Sequence, residues 1–198
     1  MRFSSPHGLR AVGPTGAVLL DALCVFRGQF SGICCHPEVR NDMYDTIGER
    51  NIATAKQLLE DAMPALDWDL MRSLVTPDAP ITRAGFADLY AATGDDIPRS
   101  GNFIEWLESG WKKLSEGLSD KTSQAQDVVA SGDTVMMKFH MTALHSGTFA
   151  GAPATGRRVE WDEITVLRFN DQGKITDMWY MCQELGLAQQ IGYQMQLA

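Results

Sequence analysis

The spacing of hydrophobic positions changes from a helical to a strand period about halfway along the chain. From Thr46 to Pro64, apolar residues recur every three or four positions, which predicts a helix that begins at a Thr46–Glu49 capping box and ends near the proline. Asp67 is placed to cap a second, shorter helix, and residues 103–114 carry one apolar face typical of a third. Helices therefore come first.

Beyond Gly117 the apolar period is close to two. Four strands are predicted there, at 124–130, 134–146, 157–169 and 174–183. Helices followed by strands predict an α+β fold, with the N-terminal helices packed on one face of an antiparallel sheet. A curved sheet covered in this way encloses a pocket at its open end.

Composition and charge limit the classes of partner. The chain has 198 residues, of which 44% are apolar and 21% charged, which is enough for a real core in one domain. No apolar run approaches the roughly 20 residues that span a bilayer. The net charge of -8 argues against nucleic acid and anionic membrane surfaces, which attract basic patches. We expect neither a nucleic-acid nor a membrane partner.

The first 42 residues show no sustained apolar period. We interpret 1–42 as a disordered leader or the product of a start codon placed too early, because Met43 directly precedes the first patterned segment, and we expect the domain to span 43–198. A signal peptide is disfavoured because Asp21 interrupts the apolar stretch. This favours a cytoplasmic location.

The cysteines indicate neither a disulfide framework nor a zinc site. Three of the four lie in the leader, and Cys34 and Cys35 are adjacent, which does not suit a disulfide between them. No C-x-x-C spacing is present. His140 and His145 fall on opposite faces of a regular strand, so they do not form a two-histidine metal site.

The most informative stretch begins at His145. It reads HSGTFAGAPATGRRV, followed by an alternating strand, the turn NDQGKI and the segment QELGLAQQIG. This pattern resembles the SnoaL-like polyketide cyclase family, in element order over about residues 46–192. The positions that carry the resemblance are Gly147, Phe149, Gly151, Pro153, Thr155, Gly156, Arg157, Val159, Gly173, Lys174, Ile175, Gly186, Leu187, Gln190 and Gly192.

The resemblance implies a cone-shaped α+β fold of the nuclear transport factor 2-like superfamily. It further implies a buried pocket without metal or organic cofactor, and a homodimer or higher oligomer formed through the outer sheet face. In the cyclases an acid near the end of the last strand acts as general acid/base in an intramolecular aldol closure. This chain has Gln183 there, whose amide can form hydrogen bonds but has no proton to exchange at neutral pH.

Two registers are plausible for the final hairpin. A three-residue turn pairs Trp161 with Gln183 and Glu163 with Met181, whereas a four-residue turn pairs Glu160 with Gln183. We favour the three-residue turn because it gathers apolar residues on one side. These are Val159, Trp161, Leu167, Phe169, Ile175, Trp179 and Met181. A slip of one residue would exchange the faces.

The favoured register yields three candidate catalytic residues. Glu163 lies on an inner face rich in tryptophan, where desolvation would raise its pKa, so it is the first candidate for proton transfer. Gln183 would hold a carbonyl or enolate oxygen, and His145 would be a second acid/base at the rim. Alternatively, Glu163 only forms hydrogen bonds inside the fold. Candidate substrate-binding residues are Trp161, Trp179, Asp177, Phe139, Met141, Met181 and Tyr90.

Other side chains have a simpler interpretation. Trp106 and Trp111 are expected in the core rather than as a ligand platform, given their helical spacing. Arg83 either reaches the pocket mouth or covers surface.

Three functions are compatible with these residues. We favour a cofactor-free cyclase or isomerase that acts on a hydrophobic, oxygenated, polyketide-like small molecule in natural-product biosynthesis, such as that of an antibiotic. The alternative is a non-catalytic small-molecule-binding or assembly module. Water addition to an epoxide ranks lower, because it needs a carboxylate, an arginine and a second acid together, and Arg168 is predicted to point outward.

Overall fold

The computed structural model describes residues 38–93 and 97–196. The predicted leader lies outside the described residues except for its last five positions, so its interpretation stays a prediction. Within the described part of the chain, no helix combines the length and the apolar character needed to cross a membrane.

The first helical segment is longer than predicted. Helix α1 (Glu38–Lys56) continues through a π-helical segment (Gln57–Ala62) into α2 (Met63–Ala65). The prediction of a start at Thr46 is wrong, since residues 38–45 contain no glycine or proline that would stop the helix from extending upstream.

The other predicted helices are present. Helix α3 (Trp68–Leu74) is capped by Asp67, whose Oδ1 accepts the Leu70 N–H at 3.0 Å. It is followed by α4 (Ala87–Thr93). The third long helix comprises α5 (Phe103–Trp106), a π-helical segment (Leu107–Trp111) and α6 (Lys112–Gly117), and a short α7 (Glu184–Gln190) follows the sheet.

Six strands form one sheet in the order β2-β1-β6-β5-β4-β3. They are β1 (Pro80–Arg83), β2 (Ser100–Asn102), β3 (Leu118–Ser131), β4 (Thr134–His145), β5 (Arg158–Phe169) and β6 (Ile175–Cys182). Neighbouring strands are antiparallel, except that β1 runs parallel to β6. The predicted α+β fold, with helices packed on this sheet, is confirmed. Strand β2 was not predicted.

The favoured register of the final hairpin holds at its three-residue turn, where Phe169 pairs with Ile175, but both predicted registers are wrong along the rest of the two strands. In the structure Glu163 pairs with Cys182 and Thr165 with Tyr180, one residue away from the favoured register. The shift arises at a bulge, because Arg168 pairs with Asp177 but Phe169 pairs with Ile175, which leaves one extra residue on β6.

The bulge exchanges the faces of β6 relative to the prediction. Met178 and Tyr180 are buried on the inner face, at 2% and 4% exposure. Trp179, Met181 and Asp177 lie on the outer face, and Met181 is 46% exposed. The prediction for β5 holds, since Trp161 and Glu163 are both buried.

The core lies between the helices and the inner face of the sheet. The two helical segments that contain π-helical turns are joined there, because Trp111 Nε1 donates a hydrogen bond of 2.8 Å to the Met63 carbonyl. This contact fixes the spacing of the helices above the sheet.

The loop between β4 and β5 approaches α6 too closely for a side chain at Gly147. A Cβ there would lie 2.3 Å from the Glu116 carbonyl oxygen. We expect Gly147→Ala to lower the free energy of unfolding by about 1–3 kcal/mol, as overpacking typically does. Urea denaturation measures this. A Cβ at Gly101 meets nothing within 4 Å, so Gly101→Ala is the control, and equal effects of the two variants would contradict the close approach.

Candidate active site

A small apolar cavity lies between the helices and the inner face of the sheet, and one carboxyl group lines it. About 20 Å³ is open to the centres of water molecules, which is room for about one water. The lining residues are Leu59, Met63, Phe86, Trp106, Trp111, Leu114, Phe139, Met141, Glu163, Met178 and Tyr180.

Strand pairing and helix irregularity together position this lining. Phe139 pairs with Glu163 across β4 and β5, and Met141 pairs with Trp161, so their side chains share the inner face. Leu59 and Trp111 come from the two π-helical segments, which often occur at functional sites.

Glu163 is the carboxyl group in the lining. Glu163 is 6% exposed, and Trp161 Nε1 donates a hydrogen bond of 2.5 Å to Glu163 Oε1. Burial raises the pKa of Glu163 to about 7, although the Trp161 bond acts in the opposite direction by stabilising the carboxylate. Both protonation states are therefore populated near neutral pH, so the group can accept or donate a proton.

Tyr180 places a phenol on the same wall. It pairs with Thr165 and is therefore diagonal to Glu163, whose direct partner is Cys182. Burial raises the pKa of Tyr180 well above its usual value, and the charge of Glu163 acts in the same direction. The phenol is neutral at physiological pH and keeps its O–H proton.

Arg83 lies behind Tyr180 as a buried cation. The two residues are paired between the parallel strands β1 and β6, and Arg83 is 2% exposed. Its guanidinium donates to the carbonyls of Pro98 at 2.9 Å and Ile97 at 2.8 Å. A buried guanidinium is stabilised by such acceptors. Of the two alternatives for Arg83, neither the pocket mouth nor surface cover describes this position.

Four of the predicted site residues meet at the cavity. Glu163, Phe139 and Met141 line it, and Trp161 binds the Glu163 carboxyl. Tyr90 does not line the cavity but packs against the lining residue Phe86, with the two ring centroids 5.9 Å apart.

Gln183 does not face this cavity. It is an exposed residue directly after β6, where its Oε1 accepts the Asp162 N–H at 3.2 Å and its own N–H donates to the Asp162 carbonyl at 2.9 Å. These bonds tie the end of β6 to β5. Trp179, Met181 and Asp177 also lie outside the cavity, for the reason of register given above.

His145 lies far from Glu163. It is six residues along β4 from Phe139, the strand partner of Glu163, which is a Cα separation of about 20 Å at the usual rise. Its imidazole is buried, Nδ1 lies 3.0 Å from the Thr155 hydroxyl, and desolvation lowers the pKa of the ring. His145 is therefore not positioned to exchange a proton with the same substrate atom as Glu163.

Sequence reasoning missed several members of the lining. Trp106 and Trp111 are buried as predicted, but they also line the cavity. Tyr180 was not predicted as a lining residue, because the favoured register places its neighbours Trp179 and Met181 on the inner face. Within residues 38–93 and 97–196, no group of three or more His, Cys, Asp or Glu side chains is arranged to hold a metal ion.

Comparison with known proteins shows which family this chain resembles. Residues 104–191 match the family model for SnoaL-like polyketide cyclase. The resemblance to the SnoaL-like polyketide cyclases is confirmed. The structure is also similar to IdmH from Streptomyces antibioticus, described as a proposed polyketide cyclase, with 27% identity over 72% of this chain and 99% of that chain and a TM-score of 0.61.

Further solved structures share the fold. A SnoaL-like protein from Jannaschia sp. CCS1 is 22% identical over 75% of this chain and 96% of its own, with a TM-score of 0.62. AclR from Streptomyces galilaeus, described as a proposed hydroxylase, is 19% identical over 79% of this chain and 85% of its own, with a TM-score of 0.57. No curated protein sequence matches significantly. The SnoaL-like match and the similarity to IdmH indicate an enzyme, while its reaction must be argued from the site.

The raised pKa of Glu163 predicts a pH-dependent stability. Below pH 4.5 the carboxyl group is protonated in both the folded and the unfolded chain. Between pH 4.5 and about 7 only the folded chain keeps the proton. The free energy of unfolding therefore falls as the pH rises through this interval. Glu163→Gln cannot ionise. The free energy of unfolding of Glu163→Gln, relative to that of the wild type, should therefore increase by about 3 kcal/mol between pH 4.5 and about 7.

Denaturation midpoints at a series of pH values measure this difference. Glu105→Gln, an exposed substitution on α5, is the matched control and should show no comparable growth. A pH-independent difference between Glu163→Gln and the wild type would contradict the buried, protonated carboxyl.

Proposed function

We propose that this protein is a cofactor-free cyclase or isomerase that acts on a hydrophobic, oxygenated, polyketide-like small molecule. The observation that carries the proposal is a single carboxyl group, Glu163, with a pKa of about 7 in an aromatic cavity. The family match of residues 104–191 supports the same class of reaction. A general base is most effective when its pKa lies near the working pH.

The chemistry needs no external reagent. The Glu163 carboxylate removes a proton from a carbon next to a ketone, and the C–H electron pair forms the enolate double bond as the ketone oxygen gains the negative charge. In a cyclase the enolate carbon attacks a second carbonyl of the same molecule, a C–C bond forms, and the proton on Glu163 passes to the new alkoxide. In an isomerase the proton returns to a different carbon.

The lining selects for apolar, unsaturated substrates. Aromatic rings and thioethers make up most of the wall, and they stabilise planar apolar ligands. The cavity as described holds about one water, so a substrate must displace side chains. Met63, Met141 and Met178 can do so, because methionine is unbranched and adopts several conformations at low cost.

Arg83 favours water addition to an epoxide as the second candidate. This reaction needs a carboxylate, an arginine and an acid together; Glu163 and Tyr180 line the cavity, and Arg83 lies behind Tyr180 as its strand partner. The Glu163 carboxylate would take a proton from a water as the water oxygen bonds to an epoxide carbon and the ring C–O bond breaks. The ring oxygen would receive a proton from the Tyr180 hydroxyl, and the proton on Glu163 would then return to Tyr180. Diol formation from styrene oxide that depends on Glu163 would favour this candidate over the cyclase.

Proton abstraction can be tested without the natural substrate. The probe is 2-tetralone, a bicyclic ketone with acidic hydrogens next to its carbonyl, and the measurement is hydrogen–deuterium exchange in D₂O followed by NMR. The wild type should accelerate exchange, and Glu163→Gln should reduce that acceleration by about 10²-fold or more. Glu105→Gln should exchange as the wild type does.

Trp161→Phe provides a second, independent readout. The indole N–H stabilises the carboxylate and so lowers the pKa of Glu163. Its removal should move the midpoint of the pH–rate profile above 7. A wild-type exchange rate equal to that of buffer, or an active Glu163→Gln, would overturn the proposed function and leave a binding or assembly module as the better interpretation.

A further inference from the structure

Tyr180 is placed to reach the same substrate atoms as Glu163. Glu163 pairs with Cys182 on β6, so Tyr180 is its diagonal neighbour on the inner face, at a separation of about 7–8 Å that long and aromatic side chains bridge. Both residues line the one cavity. A small carbonyl compound between them would contact the carboxyl on one side and the phenol on the other.

The phenol keeps a proton to donate. Burial raises the pKa of Tyr180 well above its usual value, so the hydroxyl is protonated at neutral pH. The guanidinium of Arg83, the strand partner of Tyr180, acts in the opposite direction by favouring negative charge on the phenol oxygen. A nearby cation that favours the phenolate also favours donation of the O–H proton in a hydrogen bond.

The orientation of Tyr180 is fixed by packing. Its ring lies against Trp106, with centroids 5.7 Å apart, and Arg83 lies over the same Trp106 ring at 5.9 Å. Arg83 itself is held by the backbone carbonyls of the 97–98 segment. Such an arrangement is preorganised, which is the condition under which a hydrogen-bond donor contributes most to catalysis.

Tyr180 is the side-chain donor of the lining best placed for a substrate oxygen. The lining contains two indoles besides the phenol, but Trp111 Nε1 donates to the Met63 carbonyl. Trp106 Nε1 has no hydrogen-bond partner among the described residues, but it faces Gly110 of its own helical segment, where a Cβ would lie 2.7 Å from it, so the helix limits access to this N–H. Gln183, the donor expected from sequence, is directed at Asp162.

We infer that Tyr180 is a second catalytic residue, whose hydroxyl donates a hydrogen bond to the substrate oxygen that becomes negative when Glu163 removes the proton. This inference rests on the proposed function. The proton on Glu163 and the charge on the enolate oxygen form together, so the two groups act in one step. Arg83 is a positioning residue that acts through the phenol.

The test uses the full chain and 2-tetralone exchange. Tyr180→Phe keeps the ring and removes the hydroxyl, and it should reduce the exchange rate by about 10²-fold, as removal of one such donor typically does. The midpoint of the pH–rate profile should stay at about 7, because burial and Trp161 set the pKa of Glu163. Collapse of the cavity would move this midpoint as well as the rate.

Tyr193→Phe is the matched control. It removes the same group, but the Tyr193 hydroxyl donates to the Ala150 carbonyl and Tyr193 does not line the cavity. It should leave the exchange rate unchanged. An equal loss of rate in both variants, or a shifted midpoint in Tyr180→Phe, would show a general structural effect and overturn the inference.

A double-mutant cycle separates the role of Arg83 from a merely structural one. Arg83→Lys should reduce the rate in the wild-type chain but cause little further loss in a chain that already carries Tyr180→Phe. Additive losses would contradict action through the phenol.

The two proposals fail in different ways. If Glu163→Gln loses activity while Tyr180→Phe exchanges as the wild type does, the inference on Tyr180 is wrong and the proposed function stands. If the wild type does not accelerate exchange, or Glu163→Gln remains active, the proposed function fails and the inference fails with it.

Discussion

The proposed chemistry depends on one buried carboxyl group, Glu163, which accepts a hydrogen bond from one indole N–H. Burial makes the charged form of Glu163 unfavourable, and the Trp161 bond recovers part of that cost without a neighbouring cation in direct contact. The balance sets the pKa near neutrality. Because both residues lie on the inner face of β5, separated by one outward-facing residue, the regular alternation of one strand is enough to build this pair.

The sequence correctly predicted which residues of β5 point inward but not those of the neighbouring strand β6. Alternation along β5 is local, and it correctly placed Trp161 and Glu163 inward. The orientation of β6 depends on a bulge near the hairpin turn, and neither turn length considered for the hairpin produces it. Because this bulge was not predicted, Trp179 and Met181 were assigned to the inner face in place of Tyr180.

The pairing of β1 with β6 could not be predicted from the sequence either. Arg83 reaches Tyr180 because β1 runs parallel to β6, a contact between strands almost one hundred residues apart in the chain. Gln183 occupies the position of the usual family acid, and an amide has no proton to exchange at neutral pH. In the structure Gln183 joins the ends of β5 and β6, and the proposed acid/base function is assigned to Glu163 on β5.

The same fold serves a protein described as a proposed cyclase and another described as a proposed hydroxylase. In this chain one wall of the cavity carries a carboxyl and a phenol among aromatic rings and methionines, and a buried guanidinium lies behind the phenol. The polar groups suit a ketone oxygen and its neighbouring carbon, while the methionines allow a closed cavity to admit a ring system.

Titration of Glu163 tests directly whether its carboxyl group is buried and has a pKa near neutrality. With ¹³C at the side-chain carboxyl carbons of glutamate, NMR resolves the titration of each group, and the signal lost in Glu163→Gln identifies this one. We expect a midpoint of about 7 for that signal. A midpoint near the ordinary value of 4.5 would contradict it, because a carboxyl ionised throughout the neutral range would be neither desolvated nor poised for proton exchange.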